Sequence, residues 1–305
     1  MSWLICIPVW GDHHLRLFET ETVPALRVAL AVGGISDVRF LVHTDNPLRV
    51  NLALEGFAAD VRSPHKFYSP YRIMSAAHRD ALAAALPGER VAFVNADMVG
   101  SCEVFAAAER RFAEGKQAIM VTGTRTALGG ERPPCGAQAR DLLAWAWEHR
   151  HPWTEDCVWG RGKSVVPSQL HFESGNSVIT HAFHLHPWAV VASAKLRIDG
   201  LTIDDTLADS IALGCIHVVT DPDEAAFIEM SPPERPKFHR HQSPSTARSI
   251  AYWARGLNET NGPRCSALHR WQFQHRIVIK GDGADRSDVD VCNEIELLIA
   301  GPRLA

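Results

Sequence analysis

Four consecutive apolar residues, Val91-Ala92-Phe93-Val94, run directly into Asn95-Ala96-Asp97. A short apolar run bounded by polar residues reads as a strand covered on both faces, as in a parallel sheet with helices packed against it. Residues 95 and 97 of an extended chain point to the same side. Two oxygen-bearing side chains at such a strand end can hold a hard divalent cation, and the cation can hold a diphosphate. The plainer alternative is a strand-end Asp that caps the loop at Gly100-Ser101.

The flanking sequence places this strand in an alternating pattern. Residues 3–9 read as a first strand. A helix over Leu15 to Val32 follows, kinked or divided at Pro24 and stopped by Gly33-Gly34. Val38 to His43 reads as a second strand, ended by the turn Thr44-Asp45-Asn46-Pro47. Residues 50–61 hold a short helix and a third strand. Ser69 suits an N-cap and Pro70 a first helical position, and Ile73, Ala77, Ala81 and Ala85 mark one helix face up to Pro87-Gly88. The resulting β-α-β-α-β order predicts an α/β fold with a mostly parallel sheet. Beyond it we expect a helix over Glu103–Gly115, a strand over Ala118–Thr122 and an irregular, Trp-rich stretch over 123–171. A strand at Ser177–Thr180 follows, then helices over His186–Ala194 and Asp205–Leu213 and a strand over Cys215–Val219. The Pro-rich segment 231–236 reads as a linker. Helices over Ser245–Leu257 and Cys265–Ile279 are expected after it. Residues 1–230 then form the main unit, with 123–171 as an insert, and 231–305 a helical extension packed on it.

Composition removes several classes. The 305 residues are 46% hydrophobic and 22% charged, with a net charge of -4, so no basic field favours nucleic acid. No run of about 18 apolar residues suggests a membrane span, and the start lacks the basic and apolar regions of a signal peptide. The seven cysteines are scattered without a Cys-x-x-Cys pair. Cys6 and Cys215 read as core residues of a protein in the reducing cytoplasm, while Cys135 and Cys157 flank a loop-rich region and could pair. Peripheral attachment at a membrane surface stays compatible with this reading.

The helix opening Ser69-Pro70-Tyr71-Arg72-Ile73-Met74, followed by Leu86-Pro87-Gly88-Glu89-Arg90 and the strand ending Asn95-Ala96-Asp97, resembles GT-A-fold glycosyltransferases. The layout is most similar to the retaining group of glycogenin and the bacterial lipopolysaccharide galactosyltransferases, with Asn95 in place of the first Asp of an Asp-x-Asp motif. Phe172 to Ile179, with Asn176, resembles the small-residue strand facing the donor sugar. Leu201 to Leu207, with Asp204 and Asp205, resembles the acidic segment near the reacting carbon. Phe238-His239-Arg240-His241 resembles the late His that completes the metal site. The resemblance spans about residues 3–241. It implies a GT-A-like sheet with a helical C-terminal extension, a nucleotide-diphosphate sugar donor, and Mn²⁺ or Mg²⁺ held by Asn95, Asp97 and His239 or His241.

Each element also has a physical reading of its own. Pro8-Val9 and Thr44-Asp45 end strands at the carboxyl edge of a parallel sheet, where α/β proteins place ligands. Thr44 and Asp45 could bind a nucleobase or ribose, or simply cap the turn before Pro47. Arg72 in a first helical turn could clamp a phosphate, or could be solvated. Asp204 and Asp205 open a helix, so one can be an N-cap while the other faces the donor. The facing residue would be a general base in an inverting reaction and would stabilise oxocarbenium-like charge in a retaining one. His184 and His186, beside Phe183, Leu185 and Pro187, read as core or helix-start residues. Trp145, Trp147, Trp153 and Trp159 can pack internally or stack on acceptor sugars.

These readings lead to a metal-assisted hexosyltransferase, retaining by resemblance, with a glycan, lipid-linked or small-molecule acceptor; a homodimer through the C-terminal helices is left open. A second reading is a degenerate glycosyltransferase that binds a sugar nucleotide or glycan. It is supported by Asn95 and opposed by Asp97, Asp204 and Asp205. A third, a sugar nucleotidyltransferase, would want a Gly-rich basic loop after the first strand, where Pro8-Val9-Trp10-Gly11-Asp12 has one Gly and no Lys.

Overall fold

The computed structural model describes residues 2–66, 69–129, 131–164, 166–200, 202–234, 243–256 and 264–301, with residue 205 described by its backbone alone. The first half runs β1 (Trp3–Val9), α1 (Gly11–Leu17), α2 (Val23–Val32), β2 (Val38–Thr44), α3 (Pro47–Ala53), β3 (Ala58–Arg62), α4 (Pro70–Ala84), β4 (Arg90–Phe93), β5 (Met98–Gly100), α5 (Val104–Ala113), β6 (Ala118–Val121) and β7 (Gly123–Ala127). There follow α6 (Ala139–Glu148), α7 (Pro152–Asp156), β8 (Gln169–Ser174), β9 (Ser177–Ala182), β10 (His186–Val191), α8 (Ile203–Thr206), β11 (Ile216–Val218), β12 (Phe227–Ser231), α9 (Ala247–Arg255), α10 (Ala267–Phe273), β13 (Ile277–Lys280) and α11 (Ser287–Ala300).

Seven strands form the central sheet in the order β11-β6-β10-β4-β1-β2-β3. All neighbouring pairs are parallel except the two made by β10, which runs antiparallel between β4 and β6. The alternation of β1 explains its place in the middle. Leu4 and Cys6 face one apolar layer, with Ala81 of α4 and Leu142 of α6. Trp3, Ile5, Ile7 and Val9 face the other, with Leu26 and Leu30 of α2 and Phe105 of α5. This is the α/β class with a mostly parallel sheet expected from the sequence.

Two three-stranded sheets complete the fold, β5-β12-β7 and β13-β9-β8. The second packs on a third apolar cluster that includes Phe172, Phe183, Ile250, Trp253, Phe273 and Ile295. The C-terminal part is therefore helical with a strand of its own. Among the described residues no helix is long and apolar enough to cross a membrane.

Several local expectations are corrected. His186–Ala194 was expected to be helical, with Pro187 in the first turn. Residues 186–191 are instead the strand β10, and Trp188, Ala189 and Val190 are buried in the sheet core. Pro187 is accommodated where the pairing with β6 slips between His186 and Ala189. The expected helix Cys265–Ile279 ends at Phe273, and its last three residues start β13, where Ile277 and Ile279 alternate inward. Residues 123–171 are not irregular: they hold β7, α6, α7 and the first part of β8. The Leu15–Val32 helix is two helices joined by a π-helical turn over Phe18–Thr22, which seats Pro24 at the start of α2. Ser69 sits at the α4 N-cap position but makes no side-chain capping bond. All seven cysteines are free, with Cys157 buried and Cys135 exposed.

Candidate functional site

The strand β4 stops because Asn95 turns the chain. The Met98 amide donates to the Asn95 carbonyl at 3.1 Å, and the chain re-enters a different sheet as β5. β5 pairs antiparallel with β12, and β12 pairs parallel with β7. This small sheet brings three charged residues together. Glu229 of β12 is in register with Met98 of β5 and with Arg125 of β7. The Met230 amide donates to the Asp97 carbonyl at 2.8 Å, so Asp97 is anchored to the same strand. Arg125 Nη2 lies 2.7 Å from Glu229 Oε1. Its guanidinium also covers the Trp153 ring, 5.3 Å from the centroid.

Burial pushes the Asp97 carboxyl up to about 7, with the nearby Glu229 carboxylate acting in the same sense and Arg125 opposing. Burial works against the charged form of Arg125, but Glu229 and Asp97 outweigh it and hold the guanidinium above its ordinary value. Asn95 adds an oxygen, since its Oδ1 is buried with no hydrogen-bond partner among the described residues.

Opposite this loop stands a histidine–aspartate pair. His186 opens β10, and its Nε2 lies 2.9 Å from the Phe93 carbonyl at the end of β4. Its Nδ1 lies 3.1 Å from Oδ1 of Asp204 in α8. Both ring nitrogens thus face oxygen acceptors, an arrangement that favours the imidazolium. Burial lowers the His186 pKa, but the Asp204 hydrogen bond and charge outweigh it and the net direction is upward. Asp204 is fixed from behind by His269. The Ser266 amide donates to His269 Nδ1 at 3.0 Å, leaving Nε2 to donate to the Asp204 carbonyl at 3.2 Å.

These groups enclose a cavity of about 640 Å³ at the carboxyl edge of the sheet, within the size range of small-molecule sites. Asn95, Arg125, Glu229, His186 and Asp204 all line it. An alcove of about 100 Å³ shares Arg125, Gln169 and Glu229 with it and reaches Trp153 and His171.

Of the residues picked out in the sequence, Asn95 and Asp204 meet in this wall, with Ala96 and Asp97 on the Asn95 loop. Pro8 and Val9 lie beside His43 and Thr44 at the ends of β1 and β2. The polar groups there serve the turns: Asp45 Oδ2 accepts from the Gly11 amide at 3.1 Å, and Thr44 Oγ1 from the Asn46 amide at 3.1 Å. Arg72 is exposed in the first turn of α4. Asn176 is exposed in the β8–β9 hairpin turn and is not among the cavity-lining residues. Gly175, at φ +57°, and Asn176 form the two-residue turn between the paired Ser174 and Ser177, so turn geometry places Asn176. The Asp205 side chain, His239 and His241 lie outside the described residues. Of the four tryptophans, Trp147 is buried, Trp145 stacks on His149, and Trp159 packs against Phe172.

Sequence reasoning missed Arg125, Glu229 and His186. A signal was present for the first two. Gly123-Thr124-Arg125-Thr126-Ala127 alternates, and Phe227-Ile228-Glu229-Met230 places a lone acid inside an apolar run. His186 was hidden by the helical reading of Pro187.

No family model matches the sequence, and no curated protein is similar to it in sequence. Among solved structures, TarS 1-349 of S. aureus aligns with 98% of this chain and 71% of its own, at 10% identity and a TM-score of 0.39. The same fragment in complex with UDP gives 98% and 70%, at 11% identity and 0.38. The 4-diphosphocytidyl-2C-methyl-D-erythritol synthase of Anaerococcus prevotii aligns with 40% of this chain and 56% of its own, at 12% identity and 0.30.

Proposed function

We propose that the protein is a glycosyltransferase that moves a hexose from a nucleotide-diphosphate sugar to a glycan, lipid-linked or small-molecule acceptor. The observation that carries this reading is the meeting of Asn95 and the His186–Asp204 pair in one cavity at the carboxyl edge of the sheet. A nucleoside would lie along the strand ends at Pro8, Val9, Thr44 and Asp45. Its diphosphate would reach the Asn95-Ala96-Asp97 loop, with Arg72 at its flank.

The loop fits a hard cation. The orphaned Asn95 Oδ1 and the Asp97 carboxyl are oxygen donors; burial first, and the Glu229 charge second, raise the Asp97 pKa, and a bound cation would offset both by favouring the carboxylate. Mn²⁺ or Mg²⁺ bound there would offset the charge that develops on the leaving diphosphate. Asp204 would face the reacting carbon. An oxygen that already accepts from His186 is placed to stabilise positive charge, which is the retaining reading; inversion of configuration would instead assign Asp204 the general-base role.

The test is thermal unfolding against a panel of nucleoside diphosphates and their sugars, with and without Mn²⁺, for the native chain and Asp97→Ala. A ligand at about 100 times its Kd adds nearly 3 kcal/mol of stability. A Mn²⁺-dependent shift with one nucleotide, absent in Asp97→Ala, is the expected result. No shift with any nucleotide would remove the reading.

A further inference from the structure

Outside the cavity, three metal-binding side chains converge where β2, the segment after β3 and α4 meet. His43 lies near the end of β2 and is buried, with a side-chain exposure of 1%. His65 follows β3, and Asp80 sits in the third turn of α4; both are half-buried. His43 Nε2 is 2.9 Å and His65 Nε2 is 2.8 Å from the same oxygen, Asp80 Oδ2. The two rings are nearly parallel, 5.5 Å apart. One ligand atom from each residue lies within 4.8 Å of the others.

We propose that His43, His65 and Asp80 form a binding site for a borderline divalent cation of the Zn²⁺ class, separate from the oxygen-donor loop at Asn95 and Asp97. Two imidazole nitrogens and one carboxylate oxygen are a set that Zn²⁺ accepts and that Mg²⁺ does not seek. Ligands about 2.0–2.1 Å from a tetrahedral ion lie roughly 3.3 Å from one another. Each nitrogen–oxygen contact seen here therefore opens by only about 0.5 Å to admit the ion. His43 and Asp80 stand on β2 and α4, and His65 lies three residues beyond β3, so folding meets most of the ordering cost of assembling the site. His65 is the partly open side, which leaves a fourth position for water.

Neighbouring charges permit this. Arg62 is a cation beside the cluster, with its Nη1 3.9 Å from Asp80 Oδ2. Its Nε and Nη2 are engaged by Asp60 at 3.0 and 2.6 Å. The buried Cys6 thiol is turned to the Ala77 carbonyl at 3.5 Å. A bound ion would clamp the segment 63–66 to α4, one residue from the Thr44 strand end.

The experiment is a Co²⁺ titration of the full chain after chelator treatment, without nucleotide. We expect one equivalent of Co²⁺ per chain to give the intense visible absorption of a tetrahedral site, displaced by Zn²⁺. His65→Ala and Asp80→Asn should each weaken binding at least about 100-fold, because even outer-shell partners cost 10–100-fold. Asp97→Ala should leave the titration unchanged. Absence of the band, an unchanged band in His65→Ala, or loss of the band in Asp97→Ala would each overturn the proposal. His65 is half exposed, so its variant should unfold at the temperature of the metal-free native chain. If Asp80→Asn does not fold, His65→Ala still decides. With no nucleotide present, the result is independent of the glycosyltransferase reading.

Discussion

Oδ1 of Asp204 and Nδ1 of His186 lie 3.1 Å apart in the wall of the cavity, while the other nitrogen of the ring is held by the Phe93 carbonyl at the end of β4. The pair joins the central sheet to the short helix α8. Because the folded pKa of His186 is raised, the imidazolium stabilises the fold fully below the unfolded value near 6.5 and loses that contribution as pH rises through the folded value. The native chain should lose this stability as pH rises above about 6.5. His186→Gln, which keeps a donor but carries no charge, should flatten that slope at a cost on the order of 1 kcal/mol below pH 6.5. Denaturant unfolding at a series of pH values checks this; parallel curves for the two proteins would dissociate His186 from the slope.

The sign is opposite for Asp97. An acid whose folded pKa is raised destabilises the fold above its unfolded value near 4, increasingly until pH passes about 7. Asp97→Asn should therefore raise the stability of the metal-free protein at pH 8, by on the order of 1 kcal/mol or more. The same substitution should abolish Mn²⁺-dependent nucleotide binding. In the native chain that binding should weaken below pH 7, where a proton competes for the carboxylate. Calorimetric titration between pH 6 and 8, beside the two unfolding curves, measures both effects. A destabilised Asp97→Asn at pH 8 would show that the carboxylate is structurally compensated by some other group.

How much of this was legible follows from which interactions are local. The β-α-β-α-β half was readable because β1, β2 and β4 are apolar runs with turn residues at their ends. The Asn95 loop was readable for the same reason. Asp204 was placed at a helix start and lies at the start of the one-turn α8 (Ile203–Thr206), but the helix expected to run to Leu213 is otherwise two 3₁₀ turns, Leu207–Ser210 and Leu213–Cys215. What could not be read depends on long-range pairing. His186 became a site residue only because β10 inserts antiparallel between β4 and β6, pairing Ala189 with Ala92 and His186 with Val121, partners 97 and 65 positions apart that no local pattern encodes. Arg125 and Glu229 belong to strands about 100 residues apart whose register alone makes them a pair. The turn at Gly175-Asn176 shows the converse error: small polar residues that resembled a donor-facing strand are explained by hairpin geometry.

Arg125 separates two carboxylates that would otherwise repel without relief. Arg125→Met should cost about 1–3 kcal/mol, less than the 3–5 kcal/mol of a fully buried pair, because both side chains keep partial solvent access. Adding Glu229→Gln should recover part of that loss, since the orphaned charge is removed along with its partner. A double-mutant cycle gives the coupling directly, and a residual within about 0.5 kcal/mol of additivity would mean that the pair contributes little.

Asp204 should be the residue on which the chemistry turns. Asp204→Asn keeps the size and an acceptor oxygen toward His186 but removes the negative charge facing the donor. Hydrolysis of the donor sugar nucleotide without acceptor should fall by about 10²–10⁴-fold, the usual range for losing a group that handles a proton or charge in the transition state. The Mn²⁺-dependent shift in unfolding temperature with nucleotide should persist, because the donor's base would sit along the strand ends at Pro8 and Thr44 and its diphosphate at the Asn95–Asp97 loop rather than at Asp204. Proton NMR of the released sugar from the native chain then reads the anomeric configuration. Retention matches an Asp204 that stabilises charge, and inversion assigns it as the base. A native chain that binds the nucleotide sugar yet neither hydrolyses nor transfers it would mark the fold as a binding module, and Asp204 as a residue of its wall.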